Sequence, residues 1–503
     1  MFVLLERYLK NNNYNSLTGV VKDNWMSHPN YPSLLAVTDS LTTSNVENFA
    51  IKIPFKHFKE LPNVFITELE KDSKEFYFLE KNDLVVKITN EKGSSSFLKL
   101  EDLANIWTGV VLIIEENEQT KTLQTSNGLK QAALLFTLGL FTIYTNNYNV
   151  LTSIFLILSL FGVFTSIKIL KTYLQDNNLS ESSFCNVRKE FSCNETIKSK
   201  KYTFSQYAEF VDLPIVFFGF TTLGLIFSIV SINTIGLLSS LSLPIVAYSI
   251  YIQKKVLQKW CVLCLLISLT LITNSVFYWY FQLDFKIVNV NEILLLIILV
   301  FYWFFIKKLL ITKKENKITI NQLLRFKRNE DVFNAISKNV IDGKEFLSLQ
   351  KITFGNTNAP NTLTLFLSPS CPHCHTAFKE ALEVLEKHDE IIKIEIAYNL
   401  NINNVENPYL ETAKTIMQLF NQNKDYKLAL IDWHINKLEM AVWKRKWIQN
   451  DDFIIENEQL EKQFQWCLKN EFNYAPVKIF NGKLMPQSYE IKELFYFFIE
   501  IEN

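Results

Sequence analysis

Seven cysteines lie in 503 residues, and none comes before residue 185. Six fall in three close pairs: Cys185 and Cys193 as C-x7-C, Cys261 and Cys264 in CVLC, and Cys371 and Cys374 in CPHC. Cys467 stands alone. Paired thiols can close a disulfide, exchange electrons with another dithiol, or supply half of a metal site. Seven is too sparse for a disulfide-stapled scaffold, so the meaning lies in the pairing.

The CPHC pair sits in TLTLFLSPSCPHCHTAFKEALEVLEKH. The spacing predicts a strand at 362–367, a short turn holding Ser368 and Ser370, and a helix opened by the two cysteines with Pro372 in its first turn. Cys371 then meets the helix N-terminus, where the dipole and free amides stabilise a thiolate. Cys374, one turn along, can close the disulfide, and His373 between them adds to thiolate stabilisation. Such a pair is a strong oxidant. A structural disulfide, or zinc held with His373, His375 and His388, is the alternative. Zinc takes four ligands and no second cysteine pair lies nearby, so the strand–turn–C-x-x-C–helix pattern favours redox chemistry.

Cys261 and Cys264 follow KKVLQKW and open an apolar run. A dithiol there can face a lipid-soluble oxidant on one side and a water-borne thiol on the other; two inert packed cysteines are the alternative. Cys185 and Cys193 lie in the polar stretch NLSESSFCNVRKEFSCNETIKSKKY. Cys467, in EKQFQWCLKN, reads as a free thiol or small core residue.

The elements that must position these pairs are mostly apolar. Six runs, 132–146, 150–167, 213–232, 235–252, 261–281 and 293–306, approach the roughly 20 apolar residues that span a bilayer. Six in series imply an integral membrane domain. They place the mixed-polarity regions 1–125 and 316–503 on one face, together with all three cysteine pairs, so a relay among the pairs violates no topology. The start MFVLLERYLK brings charge at Glu6 and Arg7, so no cleavable signal peptide is expected and targeting falls to the internal helices. Lys+Arg and Asp+Glu both number 51, which excludes a strongly basic nucleic-acid binder and a charge-rich disordered chain. Lysines concentrate at 168–210 and 254–259, on the redox face, and the positive-inside rule assigns that face to the cytoplasm. Dithiol oxidation, by contrast, belongs outside the reducing cytoplasm. The redox chemistry sets the expectation: soluble domains in the periplasm.

Residues 149–285 resemble the vitamin K epoxide reductase family, through the loop pair Cys185 and Cys193, Ser199 six residues after it, and KWCVLCL. Bacterial members are often fused, through one further helix, to a thioredoxin-like domain. Residues 355–500 resemble thioredoxin-superfamily oxidants that share the CPHC centre, with Ala475-Pro476 at the place of the family's cis proline and Ala475 where many members have Thr. HPNYPSLLAVTDSL (28–41), ENFAIKIPFKHFKELPNVFITEL (47–69) and WTGVVLIIEE (107–116) resemble the cysteine-peptidase domains that cut double-glycine leaders. No cysteine precedes residue 185 and the expected histidine region reads EFYFLEKND, so that domain has lost its protease chemistry.

These resemblances imply a multidomain fold: an all-α transmembrane helix bundle between an N-terminal α+β papain-like degenerate peptidase domain (1–125) and a C-terminal α/β thioredoxin-like domain (316–503). The membrane domain covers 130–285 with a four-helix core at 149–285, and 290–311 forms a linker helix. The implied function is a membrane thiol oxidase, a quinone-dependent enzyme forming disulfides in exported proteins from the bacterial inner membrane. Electrons pass from substrate to Cys371 and Cys374, through Cys185 and Cys193 to Cys261, and from Cys264 to a menaquinone or ubiquinone near Ser199, with His373 and Pro476 supporting. No metal and no nucleic acid are expected; the partners are exported dithiol proteins or peptides and the quinone. The alternatives are a peptide-binding accessory module for exporting or maturing cysteine-containing peptides, and a reductase running the other way.

Overall fold

A computed structural model describes residues 1–82, 85–91, 93–116, 127–174, 191–199, 208–283, 289–448 and 454–499; of 127–133, 135, 136, 454 and 455 only the backbone is described. Cys185 lies outside these residues. The chain divides into two compact units, Met1–Gln322 and Leu323–Asn503.

The first unit opens with helices α1 (Phe2–Asn11), α2 (Thr18–Met26) and α3 (Leu34–Thr43). Strands β1 (Asn48–Lys52), β2 (Val64–Glu70), β3 (Lys74–Lys81), β4 (Val85–Thr89) and β5 (Ser95–Lys99) follow, then α4 (Leu100–Asn105) and β6 (Trp107–Ile114). The strands form an antiparallel sheet of order β1-β6-β2-β3-β4-β5. Helix α1 buries Phe2, Leu4, Leu5, Tyr8 and Leu9, an amphipathic stripe that packs on the sheet. The Tyr8 hydroxyl fixes the register by donating to the Val64 carbonyl at 3.0 Å and accepting from the Ile114 amide at 2.9 Å. In the HPNYPS stretch, His28 is buried, accepts from the Asn30 amide at 3.1 Å and holds Asp39 at 2.9 Å. It therefore staples the turn into α3, a packing role.

The membrane part comprises α5 (Asn127–Asn146), α6 (Val150–Leu174), a short α7 (Cys193–Ile197), α8 (Asp212–Ile226), α9 (Ile232–Leu241), α10 (Leu243–Tyr251), α11 (Val262–Tyr280) and α12 (Val290–Lys327). Among the described residues, four helical stretches are long and apolar enough to cross a membrane: Val150–Leu174, Ile232–Leu257, Val262–Tyr280 and Val290–Lys327. The run expected at 213–232 is shorter than its sequence suggests. Helix α8 has 15 residues, about 22 Å at 1.5 Å per residue, and the chain then folds back. The Ile229 and Val230 amides both donate to the Gly224 carbonyl, and Val230 packs where a Gly224 Cβ would stand, 2.2 Å from its Cγ2. Small residues bring the helices close, as membrane packing requires: Phe218 of α8 lies flat against Gly162 of α6, with no room for a side chain there.

Helix α12 runs well past the expected linker 290–311, through residue 316 and on to Lys327. It is pinned to the bundle at two levels. Glu292 accepts from the Ser231 amide and the Thr234 hydroxyl at the start of α9, both at 3.1 Å. Further along, Asp212 at the start of α8 accepts from Lys307 at 2.8 Å and Trp303 at 2.9 Å. Asp212 is buried with Lys307 as its counter-charge, and Glu292 is buried with hydrogen-bond donors on both oxygens.

The second unit contains α13 (Glu330–Ile336), β7 (Lys338–Asn339), α14 (Gly343–Ser348), β8 (Ile352–Phe354), β9 (Asn361–Leu367), α15 (Pro372–Lys387) and β10 (Ile392–Tyr398). Helices α16 (Leu410–Asn421), α17 (Tyr426–His434), α18 (Met440–Trp447) and α19 (Ile454–Lys469) form an insertion before β11 (Val477–Phe480) and β12 (Lys483–Leu484). The sheet has order β7-β12-β11-β9-β10-β8, with β9 and β10 parallel and the other pairs antiparallel. Helix α15 is the crossover between the parallel strands and buries Cys374, Ala377, Phe378, Ala381 and Val384, one helical face. Strand β9 is buried almost throughout, as a central strand must be.

Candidate redox site

Strand β9 ends at Leu367, and Ser368–Ser370 turn the chain into α15. Cys371 occupies the N-cap and Pro372 the first helical position. This order makes the first cysteine the accessible one. Cys371 is partly exposed, whereas Cys374 is fully buried. Cys371 Sγ donates to the Ala475 carbonyl at 3.2 Å, and the Ala475-Pro476 peptide is cis. Cys374 Sγ accepts from the Ser368 amide at 3.3 Å. Burial pushes the Cys374 thiol well above an ordinary cysteine, and the Ser368 amide offsets part of that rise. Cys374 is therefore a protonated thiol at neutral pH. His373 points outward and is exposed.

The membrane pair has the same spacing and the same helix-start position. Cys261 is the N-cap of α11, and its sulfur accepts from the Cys264 amide at 3.2 Å. Here the first cysteine is fully buried and the second partly open. Cys264 lines an apolar cavity of about 230 Å³ walled by Ile169, Val211, Phe217, Phe218, Ile245 and Leu271. The hydroxyl-bearing residues Thr196, Ser242, Ser249 and Ser268 also line it. Apolar walls with a few polar groups are the make-up of a small-molecule site. Gln253, buried on the turn before Lys254, accepts from the Cys261 amide at 2.9 Å and fixes the entry to the helix.

The loop segment is held against this pair. Phe191 forms a bridge with Trp260, and the Ser192 amide donates to the Trp260 carbonyl at 3.1 Å. Cys193 thereby joins the buried cluster that contains Cys261 and packs against Cys264. Cys193 is disulfide-bonded, and Cys261, Cys264, Cys371, Cys374 and Cys467 are free thiols. Ser199 follows α7, its amide donating to the Thr196 carbonyl. Thr196 and Ile197 line the cavity, and Ser199 is not among its lining residues. Cys467 is a core residue beside Trp466 and Phe366, its thiol pushed up to about 12 by burial. Among the described residues, no cluster of three or more His, Cys, Asp or Glu could hold a metal.

Three contacts escaped the sequence reading: the Ala475 carbonyl on Cys371, the Ser368 amide on Cys374, and the Gln253 cap. The first two join residues far from or out of register with the motif, and backbone groups leave no mark in a sequence. Gln253 lies within a run that reads simply as the end of a span.

Residues 153–279 match the vitamin K epoxide reductase family, and residues 348–480 match a thioredoxin family. The chain thus carries one stretch similar to each of these two families. It is a thiol–disulfide oxidoreductase carried by a membrane protein. No curated protein matches it. Among solved structures, a periplasmic thioredoxin-like protein from Salmonella enterica serovar Typhimurium is 14% identical, covering 31% of this chain and 94% of that one, with a TM-score of 0.27. The thiol-disulfide exchange protein alpha-DsbA2 from Wolbachia pipientis is 14% identical, covering 30% and 87%, at 0.25. Oxidised BdbD from Bacillus subtilis is 13% identical, covering 32% and 93%, at 0.24.

Proposed function

We propose that this chain is a quinone-coupled thiol oxidase that forms disulfides in exported proteins. The observation that carries the reading is the position of Cys264 on the wall of an apolar cavity, while Cys371 is the open thiol of its pair. Each pair thus offers one sulfur to a different phase.

In the oxidised enzyme a client thiolate attacks Cys371 of the Cys371–Cys374 disulfide, and Cys374 leaves. A second client thiol attacks the mixed disulfide and releases Cys371. The client has lost two electrons and two protons, and the enzyme holds both as two thiols. Cys371 next attacks Cys185 of a Cys185–Cys193 disulfide, and Cys374 resolves it. Cys193, packed beside Cys261, passes the pair of electrons to the Cys261–Cys264 disulfide. Cys264 is the sulfur released toward the cavity. A quinone bound there supplies the acceptor for two electrons and two protons. The cavity walls are mostly apolar, and their hydroxyls can orient the ring. Ser199 remains assigned by family resemblance alone.

The soluble domains are placed in the periplasm and the bundle in the inner membrane, because a dithiol oxidase needs a compartment that does not re-reduce its clients. Residues 1–125 are a binding module for client proteins or peptides, with protease chemistry lost for want of a thiol.

The test uses the full chain in proteoliposomes with a reduced dithiol peptide and menaquinone or ubiquinone. Quinone consumption should match thiol loss one quinone to two thiols. Cys264→Ser should oxidise its bound equivalent once and then stop; sustained turnover would sink the quinone contact. Alkaline phosphatase inserted into the full chain after residue 128, or fused after residue 330, should be active in both cases, and two inactive proteins would reverse the orientation.

A further inference from the structure

The turn that carries Cys371 and Cys374 is gripped from outside by two consecutive residues at the end of α17. Trp433 Nε1 donates to the Pro369 carbonyl at 2.9 Å. His434 Nδ1 meets His375 Nδ1 at 2.9 Å, with the rings 4.9 Å apart. Pro369 lies two residues before Cys371, and His375 directly follows Cys374. The anchors therefore bracket the whole C-x-x-C turn. Thiol exchange itself uses neither residue.

The His–His contact has a defined chemistry. One Nδ1 must carry hydrogen and the other a lone pair. His434 is 1% exposed, its ring lies 5.1 Å from the Phe378 ring, and its Nε2 has no hydrogen-bond partner among the described residues. A second proton on that ring would thus be buried without an acceptor. Burial, with His375 adding to it, pulls His434 down to about 3. Burial, followed by the nearby Lys437, also lowers His375. Asp432, the acid next to this pair in sequence, is taken up by Lys446, Asn436 and Trp447. Both imidazoles are therefore neutral and locked to each other.

We propose that Trp433 and His434 are positioning residues that set the reduction potential of the Cys371–Cys374 couple. The link is Ser368, next to Pro369, whose amide donates to Cys374 Sγ at 3.3 Å. That bond is stronger to the sulfur of the dithiol, above all when it ionises, than to a disulfide sulfur. Holding Pro369 in place keeps the Ser368 amide on target and favours the reduced form. A couple whose reduced form is stabilised is a stronger oxidant. Loosening the grip makes the pair less oxidising. The inference rests on the thiol-exchange role of Cys371 and Cys374 and goes beyond it to the residues that tune it.

The test equilibrates the full chain in detergent with defined glutathione ratios and reads the 371–374 couple by differential alkylation and peptide mass. Trp433→Phe keeps the ring and removes the donor. His434→Phe keeps apolar volume and removes the Nδ1 contact. Each should shift the equilibrium with glutathione toward the disulfide by about three- to tenfold, tenfold being about 30 mV for two electrons. Melting is followed in parallel. A variant that melts lower but keeps the wild-type equilibrium makes the contact scaffold only and overturns the proposal. If wild-type Cys371 and Cys374 never equilibrate with glutathione, the exchange reading fails and the proposal with it, a result separable from unchanged variants.

Discussion

The two C-x-x-C sites share spacing and helix position and differ in which sulfur is open. In the thioredoxin-like unit Cys371 is accessible and Cys374 buried; in the membrane bundle Cys261 is buried and Cys264 faces a cavity. The first and fourth residues of a helix start are neighbours on one face, so the motif itself does not settle which is the outward one. The surroundings decide. Cys371 lies beside the cis-proline loop and stays partly exposed, while the segment carrying Cys193 packs on Cys261. Under the proposed function, the same motif is an entry for electrons in one place and an exit in the other.

The most drastic way to test this contrast is to remove the open sulfur of the soluble site. Cys371→Ser should lower client oxidation by roughly 10³-fold or more, as loss of a nucleophile does, whereas Cys374→Ala should trap clients as mixed disulfides on Cys371. Absence of trapped clients in an oxidising extract would break the entry assignment. Next comes accessibility. In the reduced chain a water-soluble maleimide should label Cys371 over Cys374, and a lipid-soluble one Cys264 over Cys261, each on the order of a hundredfold, since a buried thiol waits for local opening. Equal rates within either pair would erase the comparison.

A third step fills the exit. Val246→Trp projects into the cavity and should raise the apparent KM for quinone by about tenfold, roughly 1.4 kcal/mol, with the Cys371–Cys374 equilibrium unchanged. Gly162→Ala drives a methyl into Phe218 and should destabilise the bundle by about 1–3 kcal/mol, seen as a lower melting temperature. Acid tests the soluble site separately from the bundle. His434 sits near 3 when folded against an ordinary value of 6.5, so the unfolded chain binds the proton first as pH falls. Its contribution to stability is whole above 6.5 and declines toward 3. The transition of the thioredoxin-like unit should therefore move down between about pH 6.5 and about pH 4, and His434→Phe should flatten that slope.

Much of this architecture was legible because it is local. Apolar runs mark spans by length and composition, and a strand followed by Pro372 and two cysteines marks a redox helix through capping chemistry. Errors arose where packing overrode composition. The run 213–232 is apolar throughout, yet α8 ends at Ile226 because Val230 turns back onto Gly224. The linker helix is expected at 290–311, yet α12 continues to Lys327 in a stretch that mixes apolar and charged residues. His375 drew notice only as a possible zinc ligand; its partner His434, 59 residues away, has no signature in the motif.

The sequence by itself determined the two C-x-x-C pairs, their helix-start setting and the membrane character of the middle of the chain. These follow from residue type and spacing, which act within a turn or two of helix. Only the tertiary structure decided which sulfur of each pair is open, that Cys193 packs beside Cys261, and that Trp433 and His434 hold the CPHC turn. Those depend on elements brought together from distant parts of the chain, and burial at a given thiol is a property of its neighbours, not of its own motif.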